Sequence, residues 1–183
     1  RGYFFTAPAN FTMTALQVPT DASAGLQNIA VVRFTGATPP PAFPGTTNAF
    51  TTLFLTQNNP AAGSIPVNIA INAGDVIGIM GNRNNVNSYR NAPNTTTIGA
   101  FNVPLLRMGM QFPLATTAPQ DIWSEVAGAI SRVHFDYTMG SVGPPVTTGT
   151  FLWSPAAGLS STTTNPVAAS PMTTTTYTVN HND

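Results

Sequence analysis

The heptapeptide "IPVNIAI", Ile65–Ile71, alternates Ile65, Val67, Ile69 and Ile71 with proline, asparagine and alanine. Successive side chains of a strand point to opposite faces, so this alternation predicts a strand with one face in a core and the other in water. The "NAGD" that follows turns the chain into a second apolar run at residues 76–80. Asp75 in that turn is expected to cap it through local hydrogen bonds.

The same pattern extends outward in both directions. Good helix formers are scarce, and Pro, Gly, Thr and Asn interrupt the chain every eight to twelve residues or so, as in all-β sandwiches and barrels. Further strands are expected at residues 2–7, 11–18, 27–34, 50–56, 105–112 and 130–137. In the second of these the apolar phase runs through Phe11 and Met13, then shifts to Leu16 and Val18, which predicts a β-bulge. Near the end of the set, Val133, Phe135 and Tyr137 share one face and Arg132, His134 and Asp136 the other. Residues 1–138 therefore read as one all-β module, a jelly-roll-like antiparallel β-sandwich. "MGSVGPPVTTGT", residues 139–150, reads as a Gly/Pro/Thr linker. Beyond it, residues 151–183 carry short strand candidates at 150–153, 166–169 and 175–179, too little chain to bury a core alone.

Composition narrows the function. Charged residues make up 7% of the 183, against about 25% in ordinary soluble domains. All six cations are arginines, and Glu125 is the only glutamate. With zero net charge there is no basic field to attract nucleic acid or anionic lipid. No apolar run reaches the roughly 20 residues of a membrane span. Cysteine is absent, which excludes disulfides and thiolate chemistry. Few Lys or Glu guard the strand edges, so the surface suits either harsh conditions or copies that associate. The chain begins "RGYFFTAPAN", with no initiator Met or signal peptide, and is expected to be mature, processed or partial.

Catalytic patterns are weak. Asp121 and Glu125 flank Trp123 in "QDIWSE", but their spacing does not suggest two carboxylates facing across a cleft. His134 and Asp136 share a strand face, which reads better as a solvated face than as a metal site. The segment "GNRNNVNSYRNAPNTTT", residues 81–97, reads as a long Asn-rich loop. Its Arg83, Tyr89 and Arg90 are candidate contacts for a glycan or partner, since amides, guanidinium groups and an aromatic face suit a sugar. No enzyme activity, cofactor or metal is expected.

Two resemblances complete the reading. Trp153-Ser-Pro-Ala-Ala-Gly-Leu159, Asn165-Pro-Val-Ala168 and Thr174-Thr-Thr-Tyr-Thr-Val179 resemble the Ig-like (PKD-like) repeats of large secreted surface proteins of Bacteroidota. That resemblance implies that Trp153 is the core residue of a central strand and that Tyr177 lies on a later strand of the opposite sheet. Such a repeat has an opening pair of strands before the Trp strand and a closing strand after "TYTV", so residues 151–183 are expected to be a partial repeat. "RGYFFTAPANFTMTALQVPTDAS", "NIAVVRF", "AGDVIGIMGNRNN", "NSY" and "MGMQF…DIWSE" resemble a second module of the same organisms' secreted proteins. This implies an extracellular location and type IX secretion, and brings no catalytic residues with it.

Three readings of the partial repeat are open: a boundary inside a longer repeat protein, a segment without structure as a monomer, or a sandwich completed by strand addition from another copy. The expected function is a non-catalytic structural or adhesive module of a cell-surface protein or filament. Its partners would be copies of itself or neighbouring repeats. The alternative is a carbohydrate-binding module of a secreted multidomain protein, with surface glycans as partners.

Overall fold

A computed structural model describes residues 1–91, 93–126, 128–140, 150–163 and 167–182. The chain divides into two units, Arg1–Ser141 and Val142–Asp183. Most of the expected linker, residues 141–149, lies outside the described residues.

The first unit is an antiparallel β-sandwich. One sheet has six strands, in the order β11 (Trp123–Ser124), β10 (Leu106–Gly109), β1 (Gly2–Thr6), β6 (Val76–Arg83), β3 (Gln27–Phe34) and β4 (Phe50–Asn59). The other has three, in the order β13 (His134–Met139), β2 (Phe11–Gln17) and β5 (Ile65–Ile71). Two small pairs complete it: β7 (Tyr89–Arg90) with β12 (Ile130–Ser131), and β8 (Thr95–Ile98) with β9 (Phe101–Pro104).

The centre of the six-stranded sheet is buried on both faces, which explains the nearly continuous apolar runs of β3 and β6. Phe5, Ile29, Val31, Ile77 and Ile79 face the three-stranded sheet and pack with Phe11, Met13, Leu16, Ile69 and Ile71. Phe4, Ala30, Val32, Val76 and Met80 face the other way. There they meet Met108 of β10 and the segment that carries Met110, Leu114 and Ile122. Gly78 sits at this second interface because space is short. A Cβ there would lie 2.8 Å from Met108 Cε and 2.9 Å from a Val32 methyl.

β5 alternates as its sequence dictates, with Ile65, Ile69 and Ile71 buried. In β2 the register slips between Met13 and Ala15 against β5, and β13 slips opposite the same point. That bulge sits where the apolar phase changes, and it leaves Phe11, Met13, Leu16 and Val18 all buried. Asp75 caps its turn, its Oδ2 accepting the Asn72 N–H at 2.8 Å, and also pairs with Arg33 at 2.9 Å.

Several strand limits depart from the expectation. β4 runs on to Asn59, and the segment expected at 130–137 splits into β12 and β13. The largest difference is in the presumed loop at 81–97. Gly81, Asn82 and Arg83 belong to β6, and Gln27 of β3 stands opposite Arg83. Polar residues can end a buried strand when each is hydrogen-bonded, and here they are. Asn28 Nδ2 donates to Asn82 Oδ1 at 2.9 Å. Gln27 Nε2 donates to the carbonyls of Ala61 and Gly63, while its Oε1 accepts the Val18 N–H.

The second unit has one two-stranded antiparallel sheet, β14 (Thr150–Ser154) with β15 (Thr178–Asn182), and a single bridge between Leu159 and Ala169. One of its expected strands falls partly outside the described residues, and another starts later. Pro166 lies outside the described residues, and the last strand begins at Thr178. Trp153 pairs directly with Val179, so the "TYTV" end joins the sheet of Trp153 where the resemblance implies an opposite one. Trp153 and Tyr177 are half-buried, and none of the described side chains of this unit is fully buried. A piece this small cannot enclose an indole. The Tyr177 hydroxyl instead donates to the Ala157 carbonyl at 2.7 Å.

Candidate functional site

The three candidate contacts do not form one site. Arg83 is 1% exposed. Its Nε donates to the Val18 carbonyl at 2.8 Å, Nη1 to Gly25 at 2.9 Å and Nη2 to Ala62 at 2.8 Å. With every arm of its fork bound to backbone it clamps loops and cannot touch a ligand, which corrects its assignment as a glycan contact. Tyr89 and Arg90 are exposed, but they are adjacent on β7 and so point to opposite sides. Each lines a different cleft.

The Tyr89 cleft has a volume of about 330 Å³. Tyr89 and Phe112, 47% and 41% exposed, supply two aromatic rings. Asn85, Asn87 and Gln111 supply amides beside them. Asn87 is oriented by donating to the Gly81 carbonyl at 3.0 Å and to Ser131 Oγ at 2.9 Å, which leaves its carbonyl oxygen for another donor. Asn82 anchors this loop by accepting the Asn85 N–H.

Arg1 and Gln111 also line a neighbouring cleft of about 480 Å³, built around Trp123. Here Glu125 accepts from Arg1, pairs with Arg107, and accepts the Trp123 Nε1–H at 3.1 Å. The Arg1 guanidinium lies 5.4 Å from the Trp123 ring centroid, in cation–π range. Phe43 approaches the same indole with ring centroids 5.5 Å apart and remains 66% exposed. Gly109 permits this assembly, since a Cβ there would stand 2.9 Å from the indole. β11, which places Trp123, was not expected from the sequence. The only visible signal was a lone glutamate two residues after a tryptophan.

The third cleft, about 210 Å³, is lined by Arg90, Arg132, His134, Thr95 and Thr96 over apolar residues that include Ile130 and Phe135. Arg132 pairs with Asp21 and donates to Ser88 Oγ at 2.7 Å, and Ser88 in turn donates to Asp21. Burial holds the His134 pKa below its ordinary value; Arg132 and Arg90 add to that, and Asp136 opposes it.

The two carboxylates that flank Trp123 are engaged in bonds of their own. Asp121 accepts from Asn48 Nδ2 at 2.7 Å, and its own N–H donates to Asn48 Oδ1 at 2.9 Å. Glu125 is held between two arginines. Among the described residues, no three of His, Asp and Glu gather as a metal site would require. No helix of the described residues is long and apolar enough to cross a membrane. Comparison with protein-family models, with curated proteins and with solved structures yields no match to this chain.

Proposed function

We propose that this chain is a non-catalytic adhesive module of an extracellular bacterial surface protein, and that its sandwich unit holds a neutral glycan in the cleft between Tyr89 and Phe112. The observation that carries this reading is the chemistry of that cleft. Aromatic rings take the C–H faces of a sugar, and amides fixed by the protein take its hydroxyls in both directions. Asp21, Asp75, Asp121 and Glu125 are committed to arginines, a turn or Asn48, which favours binding over acid/base chemistry. The Bacteroidota resemblance and the low charge of the chain favour the extracellular setting.

A glycan array probed with the intact chain is the test. Saturable binding to neutral glycans is expected, and Tyr89→Ala should weaken it about tenfold, a loss on the order of 1.4 kcal/mol. An array without hits, or a Tyr89→Ala variant that binds as the parent does, rejects the cleft as a glycan site.

A second reading, self-association along a sheet edge, rests on β4. This strand ends the six-stranded sheet, is ten residues long and carries no charged side chain. Long uncharged edges are templates for pairing with another chain. Sedimentation across a micromolar series should then reveal concentration-dependent assemblies. Leu55→Lys, at an exposed position in mid-edge, should return them to monomers. A monomer at every concentration removes this reading.

A further inference from the structure

The cleft beside Arg90 differs in kind from the amide-rich one. Of the six arginines, five are bound: Arg1 and Arg107 to Glu125, Arg33 to Asp75, Arg132 to Asp21, and Arg83 to backbone carbonyls. Among the arginines, the Arg90 side chain alone makes neither an ion pair nor a hydrogen bond with the described residues, and it is exposed at the mouth of a cleft. A second guanidinium, Arg132, stands in the same wall, and its Nε–H has no acceptor in the protein. The lining holds these two guanidinium groups, the His134 imidazole and the Thr95 and Thr96 hydroxyls, with no carboxylate. The floor is apolar, made by Leu105, Ile130 and Phe135. Donors of one sign above an apolar floor suit an anion carried on a small body with a C–H face.

The local charge limits that anion to one negative unit. Asp21 offsets Arg132, and Asp136 stands two residues from His134 outside the lining. Arg90 is therefore the main uncompensated charge, enough for a carboxylate and too little for a phosphate dianion. We propose that this cleft binds a hexuronate residue, with its carboxylate on Arg90 and Arg132 and a C–H face of its ring on Ile130 and Phe135. The proposal is independent of the neutral glycan at Tyr89, because Tyr89 does not line this cleft.

Binding here should depend on pH, and the sign follows from the groups that face His134. Arg90 from β7 and Arg132 beside β13 disfavour its imidazolium, while Asp136 on β13 favours it. Tyr3 from β1 stays protonated, its pKa raised by burial and its hydroxyl donating to the Val133 carbonyl at 2.5 Å. β8 contributes only the Thr95 and Thr96 hydroxyls. A bound carboxylate favours the imidazolium, so binding and protonation of His134 reinforce each other, and affinity rises as pH falls.

The test is a titration of the intact chain with sodium D-glucuronate, followed by amide NMR shifts and calorimetry, with D-glucose and sodium acetate as controls. Saturable shifts at Arg90, Thr95 and Thr96 are expected with glucuronate, little response with glucose, and at least tenfold weaker binding with acetate. Arg90→Gln removes a side chain without partners and should leave the fold intact while lowering glucuronate affinity about tenfold or more. Tyr89→Ala should leave that affinity unchanged, so failure of the neutral-glycan reading and failure of this one are separable. Acetate binding as well as glucuronate would reduce the site to an adventitious ion only. Equal glucuronate affinity in the parent and Arg90→Gln would overturn the proposal.

Discussion

Arg83→Met is expected to destabilise the sandwich unit by about 3–5 kcal/mol, the range for stranding buried polar groups by removing their partner. Methionine keeps most of the length and apolar stem of arginine but donates nothing. The carbonyls of Val18, Gly25 and Ala62 would lose their donor together, and a buried acceptor without a partner costs about 1–3 kcal/mol. These carbonyls lie in two separate connections, one between β2 and β3 and one between β4 and β5. Gln27 stands opposite Arg83 and binds Val18, Ala61 and Gly63, so the two side chains form a double clamp on the same loops. Urea unfolding is the measurement, with a lower midpoint and an unchanged slope as the expected signature. Arg83→Lys should recover part of the loss, because an ammonium offers donors without the planar fork. A loss below about 1 kcal/mol in Arg83→Met would mean that water satisfies those carbonyls and that no clamp exists.

Arg83 also marks where the sequence stops being legible. Its partners are backbone carbonyls, which carry no residue identity, so nothing in "GNRNNVNSYR" announces a buried guanidinium. An Asn-rich stretch resembles a loop because amides favour turns, yet Asn82 continues a buried strand by bonding to Asn28. By contrast, Ile65–Ile71 and the bulge of β2 were legible because each is a pattern of side-chain polarity along the chain. The candidate site falls between these cases. The sequence marks Tyr89 and Arg90 as candidate contacts, and both are exposed. Their separation into two clefts follows from the two-residue strand β7, too short to register as a period. In the sequence, Asp121 and Glu125 on either side of Trp123 raise only the question of a carboxylate pair. The bond between Trp123 and Glu125 is local, but the approach of Arg1, more than a hundred positions away, is not legible in the sequence.

Phe5→Ala is expected to cost about 3–5 kcal/mol, the range for truncating a buried phenylalanine. Phe5 belongs to the six-stranded sheet and stacks on Phe135 of the three-stranded sheet, with centroids 6.0 Å apart and planes within 5° of parallel. Phe135 also packs against Phe11 and Tyr137, so the ring joins the two sheets through a four-aromatic cluster. Deleting it leaves a cavity at the sheet–sheet interface, where strands held by ladders on either side cannot collapse inward. Thermal unfolding followed by circular dichroism should place the transition about 10 °C lower. Phe5→Leu should recover a substantial part by refilling the space. If Phe5→Ala unfolds within a degree or two of the parent, the interface is relaxed enough to close on itself, and the aromatic cluster does not set the spacing of the sheets.

For anyone wishing to redesign these two clefts, the two-residue strand β7 sets the rules of engineering. Tyr89 and Arg90 reach separate clefts only because neighbouring positions of a strand alternate sides. Substituting either one edits a single surface and leaves the other unchanged. Inserting or deleting one residue just ahead of them would exchange the two, presenting a cation to the amide-rich cleft and a phenol to the cationic one. Diversity at these positions is therefore safe in identity and unsafe in length, and a library built on this scaffold should hold the frame fixed while the letters change.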